Sequence, residues 1–361
     1  MRKAFIIFTL GIAAISVFFV FLESGKDLRV LSLNIYGNKS LYVSQFSAPP
    51  VPIPSIDKVK AIHLAYGSYF SETFPRILKE IENSQINAIV FEIKDPYGRV
   101  AINSEAHTTL LAELLPQLKR MGVYTIARLV IFQDPALVEN NPSFAIKNNT
   151  TQGPWTDYKG VAWVDPTRQE VWKYNTEIAS RALKLGFNEV NFDYIRFPTD
   201  GPLKQAEYAD LDKYGTRENT ISNFLKFARS ELGSNAKISV DVFGMTFIDN
   251  QHVIGQTISE MAKYVNVIAP MPYPSHYPDG FIGFSNPAEH PYEVIHYTLQ
   301  KGEGKLENSN VLIRPWVQDF NLGAVYGEKE INEQIRAIND FEIDAWMLWN
   351  ASNRYTFDAV R

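Results

Sequence analysis

One syntax governs most of this chain: from Val59 onward a β-rich run, a loop, an amphipathic helix and often a glycine recur in that order. Strands are expected at 61–66, 88–94, 124–130, 189–197, 237–243, 265–271, 311–318 and 345–349. Helices are expected at 74–83, 110–120, 168–185, 220–232, 291–299 and 330–339. Ile221, Phe224, Leu225 and Ala228 show the i, i+3, i+4, i+7 spacing of a helix that buries one stripe. Gly122, Gly186 and Gly233 each stand just past a helix, where a left-handed cap is needed. Eight strands alternating with helices predict a parallel α/β fold. The count of eight favours a (β/α)8 TIM barrel, whose usual size is about 250 residues. The alternative, an open doubly wound sheet, calls for a Gly-rich phosphate loop after its first strand, and Ala65-Tyr-Gly-Ser-Tyr-Phe is not one.

Two segments precede this pattern. Arg2 and Lys3 flank the 19 uncharged residues 4–22, which end at Glu23. That length crosses a hydrocarbon core as a helix, and the basic flank puts the N-terminus in the cytoplasm and the remainder outside. The expectation over 1–23 is a transmembrane signal anchor, with a cleaved signal peptide as the competing reading. Four prolines among the nine residues 47–55 favour an extended stalk over 24–58. An extension packed on the domain surface is the alternative there. The domain itself then occupies 59–361, on the extracytoplasmic side.

A barrel places its chemistry at the C-terminal ends of its strands. Those ends are polar here: Asp95 after the second strand, Arg128 on the third, Asn191, Asp193 and Arg196 on the fourth, and Ser239 and Asp241 on the fifth. Tyr273 ends the sixth, Trp316 and Gln318 the seventh, and Asn350 the eighth. Alternation puts Asn191 and Asp193 on one face, and Ser239, Asp241 and Phe243 on one face. Adjacent strands lie about 4.8 Å apart. Asp193 and Asp241 then form a carboxyl pair at the separation that glycoside hydrolysis uses, and their mutual repulsion keeps one protonated. The competing role for either Asp is as the partner of a buried cation, for which Lys94 and Arg128 are available.

All six tryptophans lie in the domain. Trp316, Trp346 and Trp349 sit near strand ends, and Trp155 and Trp163 in a long irregular segment, where aromatic faces suit sugar rings. Trp172 and one of Trp346 and Trp349 are expected in the core, since opposite parity separates the last two. His276 belongs either to the site or to a surface loop. The six histidines show no metal-ligand spacing, so neither a metal nor another cofactor is expected. There is no G-x-S-x-G elbow and no P-loop. The net charge is −5 with no basic block, so no nucleic-acid partner is expected. The absence of cysteine excludes disulfides and thiolate chemistry.

Five collinear motifs carry a resemblance: Lys94-Asp-Pro-Tyr-Gly-Arg-Val100, Ala127-Arg-Leu-Val-Ile-Phe-Gln-Asp-Pro135, Gly160-Val-Ala-Trp-Val-Asp-Pro166, Asn191-Phe-Asp-Tyr-Ile-Arg-Phe-Pro198 and Ala269-Pro-Met-Pro-Tyr-Pro274. Over roughly 58–355 the chain resembles the bacterial "putative glycosyl hydrolase domain" family (domain of unknown function 4015). The resemblance implies a TIM barrel of the glycoside hydrolase-like superfamily. The Asp193 motif is also similar to related families acting on cell-surface or extracellular polysaccharides. In alpha-amylase-like barrels the nucleophile ends strand four and the acid ends strand five, the places of Asp193 and Asp241. A third Asp would correspond to Asp319, but its parity opposes Arg314, Trp316 and Gln318.

The expectation is an extracytoplasmic glycoside hydrolase acting on a polysaccharide. Asp193 serves as nucleophile or base and Asp241 as acid. Arg196, Arg128 and Asp95 position charge and hydroxyls, while Tyr273, Trp316, Gln318 and Asn350 line subsites. Two alternatives stay open: a non-catalytic glycan-binding barrel, and hydrolysis assisted by an N-acetyl group of the substrate.

Overall fold

The structure, a computed structural model, describes residues 50–307 and 309–361 throughout and, before them, only the backbone of four strands. These four, Ala4–Gly11, Ala14–Phe21, Arg29–Tyr36 and Lys39–Gln45, pair consecutively and antiparallel. The helix expected over 4–22 is thus replaced by two strands, and no helix among the described residues is long and apolar enough to cross a membrane. A largely apolar run has no periodicity to separate the two forms, and its Ile, Val and Phe content favours the extended one. Of the expected stalk, residues 24–28, 37–38 and 46–49 lie outside the described residues. Further along, the Val51 amide donates to the Arg120 carbonyl at 3.0 Å, so this part of the proline-rich segment is docked on the domain.

Eight strands follow: β1 (Lys60–Leu64), β2 (Ala88–Lys94), β3 (Tyr124–Val130), β4 (Glu189–Asp193), β5 (Ile238–Phe243), β6 (Val267–Met271), β7 (Leu312–Ile313 and Trp316–Gln318) and β8 (Trp346–Trp349). Six long helices accompany them: α1 (Phe74–Ile81), α2 (Glu105–Arg120), α3 (Gln169–Leu185), α4 (Arg217–Leu232), α5 (Pro291–Glu303) and α6 (Glu328–Asn339). The strands form one curled parallel sheet, in which β7 is split into two segments around Pro315. The first segment pairs with β6 and the second with β8, so the stretch 312–318 serves both edges of the sheet. This is a TIM-barrel-like α/β arrangement. It departs from a regular repeat after β5, where only the one-turn helices Met245–Ile248 and Ile258–Met261 intervene, and after β8, which leads to the short turn Phe357–Val360.

Two apolar layers hold the sheet. The larger lies between strands and helices and takes in Ile62, Phe91, Leu129 and Phe192. The smaller lies on the opposite face and gathers Ala61, Val90, Ile126, Ala269 and Met347. Strand alternation assigns neighbouring residues to opposite layers. The inner face also carries a buried ion pair between Glu189 of β4 and Arg314 of the β7 stretch, with the Tyr124 hydroxyl donating to Glu189 at 3.1 Å. Gly122 shows why that helix ends in glycine: its φ is +77°, and a Cβ there would stand 2.6 Å from Val51.

Candidate active site

The C-terminal ends of β2 to β5 converge on one guanidinium. The sheet register sets Glu92 opposite Arg128, and Arg128 opposite Asn191. It also sets Asn191 opposite Ser239, so the next inward pair in that ladder is Asp193 with Asp241. Arg128 donates from Nη1 to Glu92 and from Nη2 to Asp193, and its Nε stands 3.8 Å from Asp241 Oδ2. Burial alone would lower the arginine pKa, but the charges of Asp193, Glu92 and Asp241 more than reverse that.

Asp241 is the unusual member. It is 1 % exposed, and its pKa is pushed up to about 8 by burial first and then by the charge of Asp193. Its Oδ1 already accepts from Asn191 Nδ2 at 2.9 Å and Trp316 Nε1 at 2.8 Å. Oδ2 has no hydrogen-bond partner among the described residues. The proton of a neutral Asp241 therefore belongs on Oδ2, since two N–H donors occupy the other oxygen. Asp193 differs: it accepts from Arg128 and, on Oδ1, from the Tyr194 amide at 2.6 Å. That second bond depends on Tyr194 holding φ at +53°, a left-handed conformation uncommon outside glycine. The turn ends β4 at Asp193, short of the 189–197 expected from sequence.

A cavity of about 310 Å³ opens over this cluster, and Arg128, Asp193, Arg196, Asp241, Tyr273 and Trp316 all line it. Six of the nine residues expected at the site thus come together. Asn350 lines an adjoining compartment of about 480 Å³, which shares Tyr273, His276 and Trp349 with the first. Two expected residues do not belong. Asp95 is consumed by its own loop, accepting from Arg99 Nε at 2.6 Å and from the Tyr97 and Arg99 amides. Gln318 is fully buried, with its amide spent on Ser275 and the Phe320 carbonyl.

The aromatic expectations are corrected in part. Trp316 is 1 % exposed and fixes Asp241 through its indole N–H rather than offering a broad face. Trp155 and Trp163 are buried and donate to the Pro202 carbonyl and to Asp157, because the irregular segment folds inward around them. Trp346 and Trp349 take opposite sides of β8; Trp346 packs in the core and Trp349 lines both compartments. Lys94 points away from the site to Asp134 at 2.7 Å, and Asp319 accepts from Thr356, so neither joins the carboxyl pair.

His63 was invisible as a site neighbour, its one signal being inward parity on β1. It is buried, stacks on Trp349 with ring centroids 4.1 Å apart, and lies 3.9 Å from Glu92. Burial and the charge of Arg128 hold its pKa well below the ordinary value, so the ring is neutral.

The arrangement sets a carboxyl with a raised pKa beside a second carboxyl held by a cation, all at a single opening. Residues 61–355 match the family model described as "Putative glycosyl hydrolase domain". No curated protein matches the chain. Among solved structures, the PgaB (BpsB) glycoside hydrolase domain from Bordetella bronchiseptica is similar at 12% identity and a TM-score of 0.60, over 85% of this chain and 98% of that one. The alpha-galactosidase TtGalA from Thermus thermophilus gives 12% identity and a TM-score of 0.53, over 94% and 72%. The spore cortex-lytic enzyme SleL from Bacillus cereus gives 11% and 0.52, over 90% and 76%. At these identities the likeness is one of fold. The family model spans well over half of the chain, and with it the whole Arg128–Asp193–Asp241 cluster: the chain belongs to the putative glycosyl hydrolase domain family.

Proposed function

We propose that this chain hydrolyses glycosidic bonds of a cell-surface or extracellular polysaccharide, with Asp241 as general acid and Asp193 as nucleophile or base. One observation carries the reading: a carboxyl whose pKa is pushed up to about 8 stands beside a second carboxyl held by Arg128 on the same cavity. Environments that separate two carboxyl groups in this way mark an acid and its ionised partner. In the reaction the Asp241 proton passes to the leaving glycosidic oxygen as its bond to the anomeric carbon breaks. Asp193 stabilises the positive charge developing there, attacking the carbon or deprotonating the water that does. Water ends as the new anomeric hydroxyl, and its second proton restores Asp241, directly or through Asp193.

A second reading rests on the contacts of Asp193, whose two oxygens are both occupied, by Arg128 and by the Tyr194 amide. An N-acetyl carbonyl of the substrate would then act as nucleophile, leaving Asp241 as the one essential carboxyl. Release of reducing ends from acetylated and deacetylated polymers, with wild type and Asp193→Asn, separates the two. The first reading expects the variant to lose about 10²- to 10⁴-fold on its substrate. Activity above a tenth of wild type, confined to acetylated polymer, favours the second. Glycan binding without turnover by wild type defeats both.

The extracytoplasmic location is proposed from charge and composition alone: Arg2 and Lys3 before the uncharged run 4–22 are the pattern of an export segment. The full chain expressed in a bacterium should be degraded by protease added to spheroplasts. Protection until the cells are lysed would place the domain inside and remove this part of the proposal.

A further inference from the structure

We infer that the glycan taken by this cleft is acidic: Arg196 binds a uronic-acid carboxylate in the inner cavity, and Arg354 meets a second anionic unit in the outer compartment. This rests on reading the cleft as a glycan site and names the class of glycan.

Arg196 lines the inner cavity at 8 % exposure, yet among the described residues it has no carboxylate within salt-bridge distance. Its single protein acceptor is the Phe197 carbonyl, reached from Nη1 at 3.1 Å. The rings of Trp163, Tyr194 and Phe243 surround the guanidinium, with centroids 4.9, 4.9 and 4.8 Å from its central carbon. Aromatic faces fix the plane of an arginine without using its hydrogen-bonding edge. Three carboxylates lie near enough to act on Arg196 through their charge, none in a salt bridge with it: Asp157 accepts from the Lys159 and Val161 amides and the Trp163 indole, Asp193 accepts from Arg128 and Tyr194, and Asp200 is exposed to solvent. A desolvated cation with no carboxylate directly paired to it is unfavourable, and an arriving anion relieves that. A carboxylate suits it best, since two parallel oxygens match the guanidinium fork. Arg128, the other cation of this cavity, is already bound to Glu92 and Asp193.

The outer compartment carries an arginine of its own. Arg354 is exposed, is the one side chain there with a permanent charge, and has no carboxylate partner among the described residues. Phe320, Leu322 and Trp349 give it apolar walls suited to the C–H faces of a sugar. Tyr273, His276 and Trp349 border both compartments, so one polymer can pass from Arg196 to Arg354. Burial lowers the pKa of His276, which therefore adds no positive charge at neutral pH.

The test is equilibrium binding, followed by tryptophan fluorescence on the full chain at constant ionic strength. The probes are sodium glucuronate and galacturonate against glucose, galactose and N-acetylglucosamine, with trigalacturonate as the longer ligand. At least one uronate should bind tenfold or more tightly than its neutral counterpart. Arg196→Gln should erase that preference, and Arg196→Lys should retain part of it. Arg354→Gln should weaken trigalacturonate at least threefold. Equal affinity for acidic and neutral sugars, no uronate binding, or a preference for N-acetylglucosamine would overturn the inference, and this wild-type comparison does not depend on any variant folding. A uronate preference in a chain that releases no reducing ends would remove the hydrolase reading and leave this one standing. Turnover of neutral glycans with no such preference would do the reverse.

Discussion

Replacing Arg128 with methionine is expected to destabilise the protein by about 3–5 kcal/mol at pH 7, the cost of leaving buried charge without its partner. The guanidinium touches Glu92 and Asp193 directly and faces Asp241, and all three carboxyl groups are at most 10% exposed. Without it, three buried carboxyl groups crowd together with no cation between them. The loss relative to wild type is therefore smaller in acid, where protonation removes the negative charge that Arg128 offsets, and larger at neutral pH and above. Urea titrations of wild type and Arg128→Met at pH 4.5 and pH 7.5 measure this. The gap between the proteins should be several-fold larger at the higher pH. A uniform loss below about 1 kcal/mol at both would mean that Arg128 is not the counter-charge of this cluster.

Asp241→Asn should lower turnover about 10²- to 10⁴-fold, the usual contribution of a positioned proton donor. In wild type the alkaline limb of kcat/KM should fall near pH 8, where Asp241 loses its proton. The same group makes a stability prediction that needs no substrate. Its pKa stands at 3.8 in the ordinary state and about 8 when folded. Its contribution is therefore complete below pH 3.8 and is lost as pH rises through about 8, because the native state holds a proton that the unfolded state releases. Asparagine keeps an acceptor for Asn191 and Trp316 but cannot ionise. The variant should gain Tm relative to wild type as the buffer moves from pH 5 to pH 9. Parallel Tm curves across that range would show that Asp241 is ionised throughout, and the acid would have to be sought elsewhere.

Much of the site was legible because a strand has a period of two. Asn191 and Asp193 on β4, and Ser239 and Asp241 on β5, share inward parity, and the structure joins them by hydrogen bonds from Asn191 to Ser239 and Asp241. The opposition of Trp346 and Trp349 was readable for the same reason. Asp95 and Gln318 misled because parity says which way a side chain leaves its strand and nothing about whom it meets. Asp95 is turned back by a tight loop onto Arg99, and Gln318 is captured by Ser275 from a segment more than forty residues away. Trp155 and Trp163 failed similarly, since irregular segments have no period from which to assign burial.

The amino-acid order alone determined the alternation of strand and helix, the end of the sheet where chemistry gathers and the inward parity of the two aspartates. All of these are local consequences of backbone geometry and apolar spacing. Only the tertiary structure decided that the two carboxyls would have different surroundings. Asp193 and Asp241 are the same residue type at equivalent heights on neighbouring strands, and what separates them is contact across the curled sheet: Arg128 and the Tyr194 amide at one, the Trp316 indole from 75 residues away at the other. Proton affinity depends on burial and on every nearby charge at once, and those distances exist only after the sheet has curled.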